Sequence, residues 1–549
     1  MAEHDLHAAA FPRLDESHMA AVGRCPLTVL KKYRDGDKLF EAGARDFKFF
    51  IVKSGTVDIV DESGETPKTI AVHGPGEFTG DAFQLTGSPS LFSGVARGEC
   101  EAYEISPDAL RQILNNHPDL GDVILQAFLA RRQLVTQPGT YTGLRVIGSR
   151  YSRDTFRIRD FLAKNRMPFT WLDLEVDPQA EKLLRQFGLA ATDTPVVAWG
   201  RKLLLRNPSN PELAQALGIR QPLEQTVYDL VVVGAGPAGL AAAVYGGSEG
   251  LNTVVLERTG PGGQAGRSMR IENYLGFPTG ITGLELAERA VVQASKFGAR
   301  LPAATQVTSL TFDQTYLRLH LDGGETVMTK CLLIATGADY RRMTAEGCEQ
   351  FEGCGVYYAA TFNEAQMCKG SDVVVVGGGN SAGQAAVFLS AQSRRVYLVI
   401  RGNDLGKDMS SYLVHRIEET PNIEVLRNTE VRRMSGDLYL RSVELINTKT
   451  GEVKTLEVQA LFSFIGAMPR TDWLPPEIEK DTKNFIRTGP ALSQSAHWTA
   501  MRQPFLLETS RPGVFAAGDV RSGSVKRVAS AVGEGAMAVQ FVHQYLRER

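Results

Sequence analysis

The chain has 549 residues, of which 43% are apolar and 22% are charged, and its formal net charge is −2. This length exceeds what one hydrophobic core supports, so several domains are expected, and the balanced charge gives no electrostatic reason to expect binding to nucleic acid or to a membrane surface. The six cysteines form no CxxC pair, and the first residues lack the basic and apolar pattern of a secretion signal. Both features favour a cytoplasmic protein without a disulfide framework.

Residues 1–135 predict a small β-barrel with flanking helices, because alternating strand residues surround a Ser-Gly turn in FFIVKSGTVDIVDESGE. The block resembles the cyclic nucleotide-binding domain, in which a Gly-Glu pair holds the ribose and an arginine pairs with the cyclic phosphate. Gly80 and Asp81 keep an acid here, whereas Ser90 stands near the arginine position and removes a charge-assisted contact. We therefore expect the barrel to serve docking or dimerisation, with binding of a cyclic nucleotide as the alternative.

Residues 140–220 predict a compact α/β unit of two strand–helix pairs followed by a strand pair. The unit resembles the thioredoxin and glutaredoxin fold, which implies a cis proline at Thr194-Pro195. Ser152 and Thr155 stand where that family has its redox cysteines. Since a hydroxyl cannot form a disulfide, we expect a structural or docking module without redox chemistry.

A run without charged residues extends from Leu230 to Ser248. Its length approaches that of a membrane span, but glycines and a proline interrupt it where a buried strand would turn into a helix, which favours a strand–turn–helix unit. The stretch VVVGAGPAGLAAA is a dinucleotide-binding fingerprint. Its glycines permit a tight turn, the approach of a pyrophosphate and close helix packing, and the free N–H groups of the helix attract the anion.

Charged residues after each fingerprint indicate which dinucleotide it binds. Glu257 lies 18 residues after Gly239, where a carboxylate accepts hydrogen bonds from the hydroxyls of an unphosphorylated ribose, as in FAD. A second fingerprint, GGGNSA, follows a strand predicted over residues 372–376. After it, Arg401 and Lys407 supply positive charge that favours the 2′-phosphate of NADPH, and NADH is the alternative.

Residues 226–549 resemble the low-molecular-weight thioredoxin reductase family. The motifs that carry the resemblance are GAGPAGLAAA, PGGQ, IENYLGFP, ATGA, GGGNSA, GVFAAGDV and KRVASAVGEGAMAV. The resemblance implies a homodimer in which residues 226–338 and 460–549 bind FAD, while residues 340–458, inserted between them, bind NADPH. The predicted fold class is therefore α/β and multidomain, with two nested Rossmann-type domains that follow the barrel and the thioredoxin-like unit.

The fingerprints and the resemblance together predict the cofactor-binding residues. Those expected to contact FAD are Gly234, Gly236, Pro237, Ala238, Gly239, Glu257, Gly263, Gln264, Asn273, Thr336, Gly337, Gly518, Asp519, Arg527 and Ala529. Those expected to contact NADPH are Gly377, Gly379, Asn380, Ser381, Ala382, Arg401 and Lys407. We predict no metal site and no catalytic side chain, because hydride transfer from a nicotinamide to a flavin requires orientation and no protein nucleophile.

The family's inserted domain opens with Cys-Ala-Thr-Cys, and this chain has Ala359-Ala360-Thr361-Phe362 in that place. Cys354 and Cys368 flank the segment, either as inert thiols or as a relocated redox couple. Without a dithiol, the reduced flavin is expected to pass its electrons directly to ferredoxin, a quinone, dioxygen or a small disulfide. The alternatives are a redox- or ligand-sensing regulatory flavoprotein and a thioredoxin reductase proper.

Overall fold

The computed structural model describes residues 3–549 except positions 46, 65, 138–142, 201–202, 225, 314, 494 and 499. The N-terminal region is an antiparallel sheet covered by helices. Its strands are β1 (Thr28–Tyr33), β2 (Lys38–Phe40), β3 (Phe49–Asp61), β4 (Lys68–His73) and β5 (Ser93–Ile105). Its helices are α1 (Glu3–Ala10), α2 (Glu16–Arg24), α3 (Phe83–Thr86), α4 (Pro107–Asn116) and α5 (Pro118–Val135).

Aromatic side chains pack together in the core of this region. The strands are ordered β1-β5-β3-β4, and β2 also pairs with β5. The ring centroid of Phe40 lies 5.4 Å from that of Phe47 and 6.0 Å from that of Phe50. Such contacts between rings stabilise a core beyond the area that they bury.

The next region is the predicted α/β unit. Its strands are β6 (Leu144–Gly148), β7 (Thr170–Asp173), β8 (Val196–Trp199) and β9 (Leu203–Arg206), and its helices are α6 (Arg153–Lys164), α7 (Pro178–Gln186) and α8 (Asn210–Ala216). The strands are ordered β7-β6-β8-β9, with β6 and β7 parallel and the other pairs antiparallel. The peptide bond between Thr194 and Pro195 is cis.

The first Rossmann-type region begins with a parallel strand and a helix. Its first elements are β10 (Val227–Val233), α9 (Pro237–Ser248), β11 (Thr253–Leu256), α10 (Gly283–Lys296), β12 (Val307–Phe312), β13 (Leu317–Leu321) and β14 (Thr326–Ile334). The uncharged run after Leu230 is thus part of β10, a turn and α9. Among the described residues, no helix is both long and apolar enough to span a bilayer.

The second Rossmann-type region is inserted into the first. Its strands are β15 (Ala338–Tyr340), β16 (Val356–Tyr357), β17 (Asp372–Val376), β18 (Arg395–Val399), β19 (Ile423–Leu426), β20 (Thr429–Gly436), β21 (Leu440–Asn447), β22 (Val453–Glu457), β23 (Ala460–Ser463) and β24 (Ala467–Pro469). Its helices are α11 (Cys348–Phe351), α12 (Phe362–Met367), α13 (Asn380–Ser390) and α14 (Ser411–Glu419). The parallel sheet has the order β16-β23-β17-β18-β19, and β20-β21-β22 form an antiparallel sheet beside it.

The chain enters and leaves the inserted region through β15 and β24, which pair antiparallel. It then adds β25 (Val514–Ala516) beside β14 and ends with α15 (Val528–Glu548), which packs on α9. One boundary differs from the sequence prediction. Residues 460–463, which the prediction placed in the second FAD-binding segment, form β23 and pair with β17, because their apolar side chains complete the inserted sheet.

Candidate cofactor and acceptor site

The glycines of the first fingerprint stand where side chains would collide with backbone. A Cβ atom added to Gly234, which has φ of +105°, would lie 2.4 Å from the carbonyl oxygen of Ala335. A Cβ atom on Gly239 would lie 1.9 Å from the carbonyl oxygen of Gly234. Gly236 is the N-cap residue of α9, and no side chain of the described residues caps this helix. Its first N–H groups are therefore available to an anion.

The Glu257 carboxylate is held beside this turn. It accepts hydrogen bonds from the backbone N–H groups of Ala235 and Thr259, both at 2.9 Å. Gly263 approaches from the other side, where its added Cβ atom would lie 3.0 Å from the Cα atom of Gly236. The turn thus presents an anion-binding helix end, a narrow glycine-lined approach and a fixed acceptor for a ribose hydroxyl. These features fit the adenosine diphosphate half of FAD.

The remaining residues of the first set lie at different depths. Thr336 donates to the carbonyl oxygen of Arg470 at 2.9 Å, and Gly337 has φ of +64°. Ala238 is buried and, like Pro237, lies in α9. Four of the predicted flavin contacts are exposed on the surface, namely Gly263, Asn273, Arg527 and Ala529.

Asp519 lies in a turn after β25, and burial raises the pKa of its carboxyl above the usual range. The preceding residue, Gly518, donates its N–H to Glu534 of α15 at 2.7 Å, and Glu534 also pairs with Arg521 at 2.5 Å. Glu534 therefore positions the turn that carries Asp519. The sequence analysis did not predict this role of Glu534, although an acidic residue in the first half of the last helix could have indicated it.

The second fingerprint forms a similar glycine turn, but different residues surround it. The added Cβ atom of Gly377, which has φ of +143°, would lie 2.7 Å from the carbonyl oxygen of Phe464. Gly379 is the N-cap residue of α13, again without a side-chain cap among the described residues. Ala382 is fully buried at the third position of the fingerprint.

Asn380 organises the loop that carries the predicted cations. Its side-chain amide donates to the Ser410 hydroxyl at 3.0 Å and accepts from the Ser410 N–H at 2.7 Å. Arg401 and Lys407, both exposed, belong to this loop. Asn380 was predicted as a contact to the nucleotide, and in the structure its side chain holds the loop. Ser381, the next residue, lines a cavity between the two Rossmann-type regions.

Ala359 and Ala360 are both buried. After them, Glu364 accepts from the Thr361 N–H at 2.8 Å, which is the bond that a glutamate in the first turn makes to the backbone at the start of a helix, here α12. Burial raises the pKa of the Glu364 carboxyl. The segment thus has a structural arrangement of its own.

Cys354 and Cys368 are both free thiols. Cys354 packs in the cluster that contains Val374, and Cys368 packs in the cluster that contains Val375. Since neighbouring residues of a strand point to opposite faces, the sheet separates the two sulfur atoms. Burial raises the pKa of Cys354, and it raises that of Cys368 to about 12. The structure therefore contradicts the relocated redox couple.

The thioredoxin-like unit packs against the inserted region at this segment. Tyr151 stacks on Tyr439 with centroids 4.3 Å apart, and the ring of Phe156 lies 6.0 Å from that of Tyr357. These contacts come from the N-terminal end of α6, which is where the redox cysteines of a thioredoxin would lie. The N-terminal end of α6 thus lies beside Tyr357, two residues before Ala359.

The opposite end of α6 contacts the first Rossmann-type region. The side-chain amide of Asn165 donates to the carbonyl oxygen of Thr259 at 2.7 Å, and Asp160 lies 3.5 Å from Arg267. Helix α6 consequently bridges both nucleotide-binding regions.

Comparison with known proteins identifies the larger part of the chain. The profile of the family described as pyridine nucleotide-disulphide oxidoreductase matches residues 228–535, more than half of the chain. The chain belongs to this family. A thioredoxin reductase of Treponema pallidum is 35% identical over 322 residues, which cover 59% of this chain and 98% of the relative. The profile of the cyclic nucleotide-binding domain matches residues 30–117.

Solved structures give the same result for the fold. Thioredoxin reductase of Lactococcus lactis, in a form termed the FR conformation, aligns with a TM-score of 0.53 and 29% identity, covering 59% of this chain and all of that one. Thioredoxin reductase of T. acidophilum aligns with a TM-score of 0.52 and 30% identity, covering 58% and 98%. This member of the family is a thioredoxin reductase-like, FAD-dependent oxidoreductase that uses NAD(P)H.

Proposed function

We propose that this oxidoreductase passes electrons from NADPH to FAD and from FAD directly to an external acceptor, without a protein dithiol. The observation that carries the proposal is the arrangement of the sulfur atoms. Ala359 and Phe362 stand at the positions of the family's two cysteines, and a sheet separates Cys354 from Cys368. When bound, FAD would supply the two-electron chemistry, and the residues of the two turns would bind and orient the two cofactors.

The residues proposed for each cofactor follow the charges of the two turns. The fixed Glu257 carboxylate suits a ribose with free hydroxyls, and the exposed Arg401 and Lys407 suit a ribose phosphate. We therefore infer FAD at the first turn and NADPH, in preference to NADH, at the second. We further propose a cytoplasmic homodimer, on the resemblance to the reductase family.

The position of the thioredoxin-like unit beside residues 359–362 supports direct electron transfer from FAD to an external acceptor. Helix α6 lies against the inserted region at Tyr357, close to the segment where the family has its disulfide. An external thioredoxin would have to displace this unit to reach the segment. An acceptor that enters from another side meets no such competition.

The direct test is anaerobic stopped-flow reduction of the flavin, followed by a panel of acceptors. NADPH should bleach the FAD absorbance faster than NADH does, and mixing with a quinone or ferredoxin should restore it. Protein with full FAD content that neither nucleotide reduces would contradict the proposal. Rapid NADPH-dependent reduction of thioredoxin would instead establish the reductase activity of the family relatives.

A second candidate role, ligand-dependent regulation, has one supporting observation. Arg132 of α5 is fully buried and lies 3.6 Å from Asp81 of the barrel and 4.0 Å from Glu288 of α10. A charge buried between two acids is sensitive to any movement of either one. Ser90, however, is buried and donates to the carbonyl oxygen of Phe92 at 2.7 Å, so it offers no cation to a cyclic phosphate.

Titration with cyclic nucleotides tests this second role. Calorimetric binding, together with a changed rate of flavin reduction, would establish it. Binding without any change in rate would leave the barrel as a docking module.

A further inference from the structure

A cavity of about 310 Å³ lies between the two Rossmann-type regions. Ala359, at the position of the first cysteine of the reductase family's disulfide, and the adjacent Ala360 form part of its wall. Gln264, a predicted flavin contact, lines it as well. Because both alanine side chains are small, the cavity keeps a volume at the lower end of the range for small-molecule sites.

Two aromatic rings and several arginines give the cavity its chemical character. Tyr340 and Phe464 lie on its wall with centroids 5.2 Å apart and planes at 88°. Arg267, Arg270 and Arg416 also line it. Aromatic rings contact planar ligands well, and guanidinium groups bind carboxylates and sulfonates by paired hydrogen bonds.

Positive charge exceeds negative charge at one side of this cavity. Glu272 is shared by two arginines, with Arg416 at 2.8 Å and Arg270 at 3.3 Å. The side chain of Arg270 is 61% exposed to solvent and that of Arg416 is 45% exposed. Each guanidinium group therefore has N–H donors available to a ligand. Ser381, in the first turn of α13, also lines the cavity, whereas Gly377 and Arg401 are not among its described lining residues, so the cavity adjoins the start of α13 and extends from there towards Gln264.

Resting on the function proposed above, we propose that this cavity is the acceptor site and that it takes a small, planar, anionic electron acceptor. A sulfonated quinone represents the class. Its two carbonyl groups take up two electrons and two protons and become the hydroquinone. NADPH provides the hydride through the flavin, solvent provides the second proton, and NADP⁺ is released. A cleft of this volume between the two regions favours a small molecule over an acidic protein.

The test compares a sulfonated naphthoquinone with the neutral methyl naphthoquinone, using full-length holoenzyme that NADPH has reduced anaerobically. In the double variant Arg270→Gln/Arg416→Gln, kcat/KM for the sulfonated quinone should fall about tenfold, the loss of one charge-assisted contact. The value for the neutral quinone should change less than twofold. Arg416→Glu should increase the discrimination against the anion, and Arg185→Gln, an exposed arginine of α7, is the matched control.

A second variant, Ala360→Leu, fills the cavity and should lower kcat/KM for both quinones at least tenfold while the flavin is still reduced by NADPH. Equal losses for the two quinones in the arginine variant, or a loss that the control shares, would overturn the proposal. So would an acidic ferredoxin whose reduction depends on the arginines and is unaffected by Ala360→Leu. Failure of NADPH to reduce the flavin would refute the proposed function itself, which is a separate result.

Discussion

The two dinucleotide turns share the first two glycines of the fingerprint and differ in what surrounds them. In the first, backbone N–H groups hold the carboxylate of Glu257 in place. In the second, Asn380 holds a loop on which Arg401 and Lys407 remain exposed. The glycines determine the shape of the turn. The charged residues after the next strand determine whether it suits a ribose with free hydroxyls or one that carries a 2′-phosphate. A carboxylate held by two backbone N–H groups suits a cofactor that stays bound, whereas exposed cations suit a nucleotide that binds and dissociates.

The third fingerprint position sharpens this comparison, because it is Gly239 in the first turn and Ala382 in the second. In the first, α15 packs on α9 so closely that a Cβ atom on Gly535 would lie 2.0 Å from the carbonyl oxygen of Ala238. Helix α9 therefore has no room for a side chain at Gly239 or on the facing residue Gly535. Helix α13 has room for the methyl group of Ala382 at the equivalent position.

The largest expected effect is that of Gly239→Ala. Its methyl group would lie 1.9 Å from a carbonyl oxygen, so we expect a loss of about 3 kcal/mol or more in the free energy of unfolding, and no bound flavin. The reciprocal change Ala382→Gly should cost only about 1 kcal/mol. Thermal unfolding and flavin content measure both. Similar losses for the two variants would show that the turns are packed alike.

Glu257→Gln should weaken FAD binding about tenfold, because the neutral amide is a poorer acceptor than the carboxylate for a ribose hydroxyl. Titration of the apoprotein, followed by quenching of flavin fluorescence, gives the dissociation constant. Glu285→Gln on α10 is the control, since Glu285 pairs only with exposed Arg289 among the described residues. Unchanged affinity would mean that Glu257 serves the turn alone.

The double variant Arg401→Gln/Lys407→Gln should raise KM for NADPH about tenfold and leave KM for NADH within twofold, because only NADPH has the extra phosphate. Arg395→Gln, at the start of β18, is the matched control at the opposite end of the strand. If KM rises equally for both nucleotides, the cations bind the shared pyrophosphate instead.

The smallest effect concerns Asp519. Because burial raises its folded pKa, the native state holds the proton more tightly than the unfolded state does, and the associated stability is lost as pH rises through the folded pKa. In apoprotein, Asp519→Asn should therefore gain stability relative to wild type on going from acidic pH to pH 8, by less than about 2 kcal/mol.

Chemical denaturation of both apoproteins across this pH range measures the difference for Asp519→Asn. Exposed Asp322→Asn serves as the control. A difference between wild type and Asp519→Asn that stays constant with pH would exclude the burial effect.

Local patterns predicted the strand–turn–helix units well. The strand at residues 372–376 has the predicted bounds, and Glu257 directly follows β11. The pairing of residues 460–463 was assigned to the wrong region, because an apolar strand carries no mark of the sheet that it will join. The role of Glu534 was missed for a similar reason, since its partner Gly518 lies on another element.

The sequence by itself determined the two glycine turns, the charges that follow them and the absence of a cysteine pair at residues 359–362, because each depends on residues close together in the chain. Only the tertiary structure decided that a sheet separates Cys354 from Cys368, that α6 bridges both nucleotide-binding regions, and that arginines from distant segments meet at one cavity. Those relations depend on packing between segments far apart in the chain, which no local periodicity encodes.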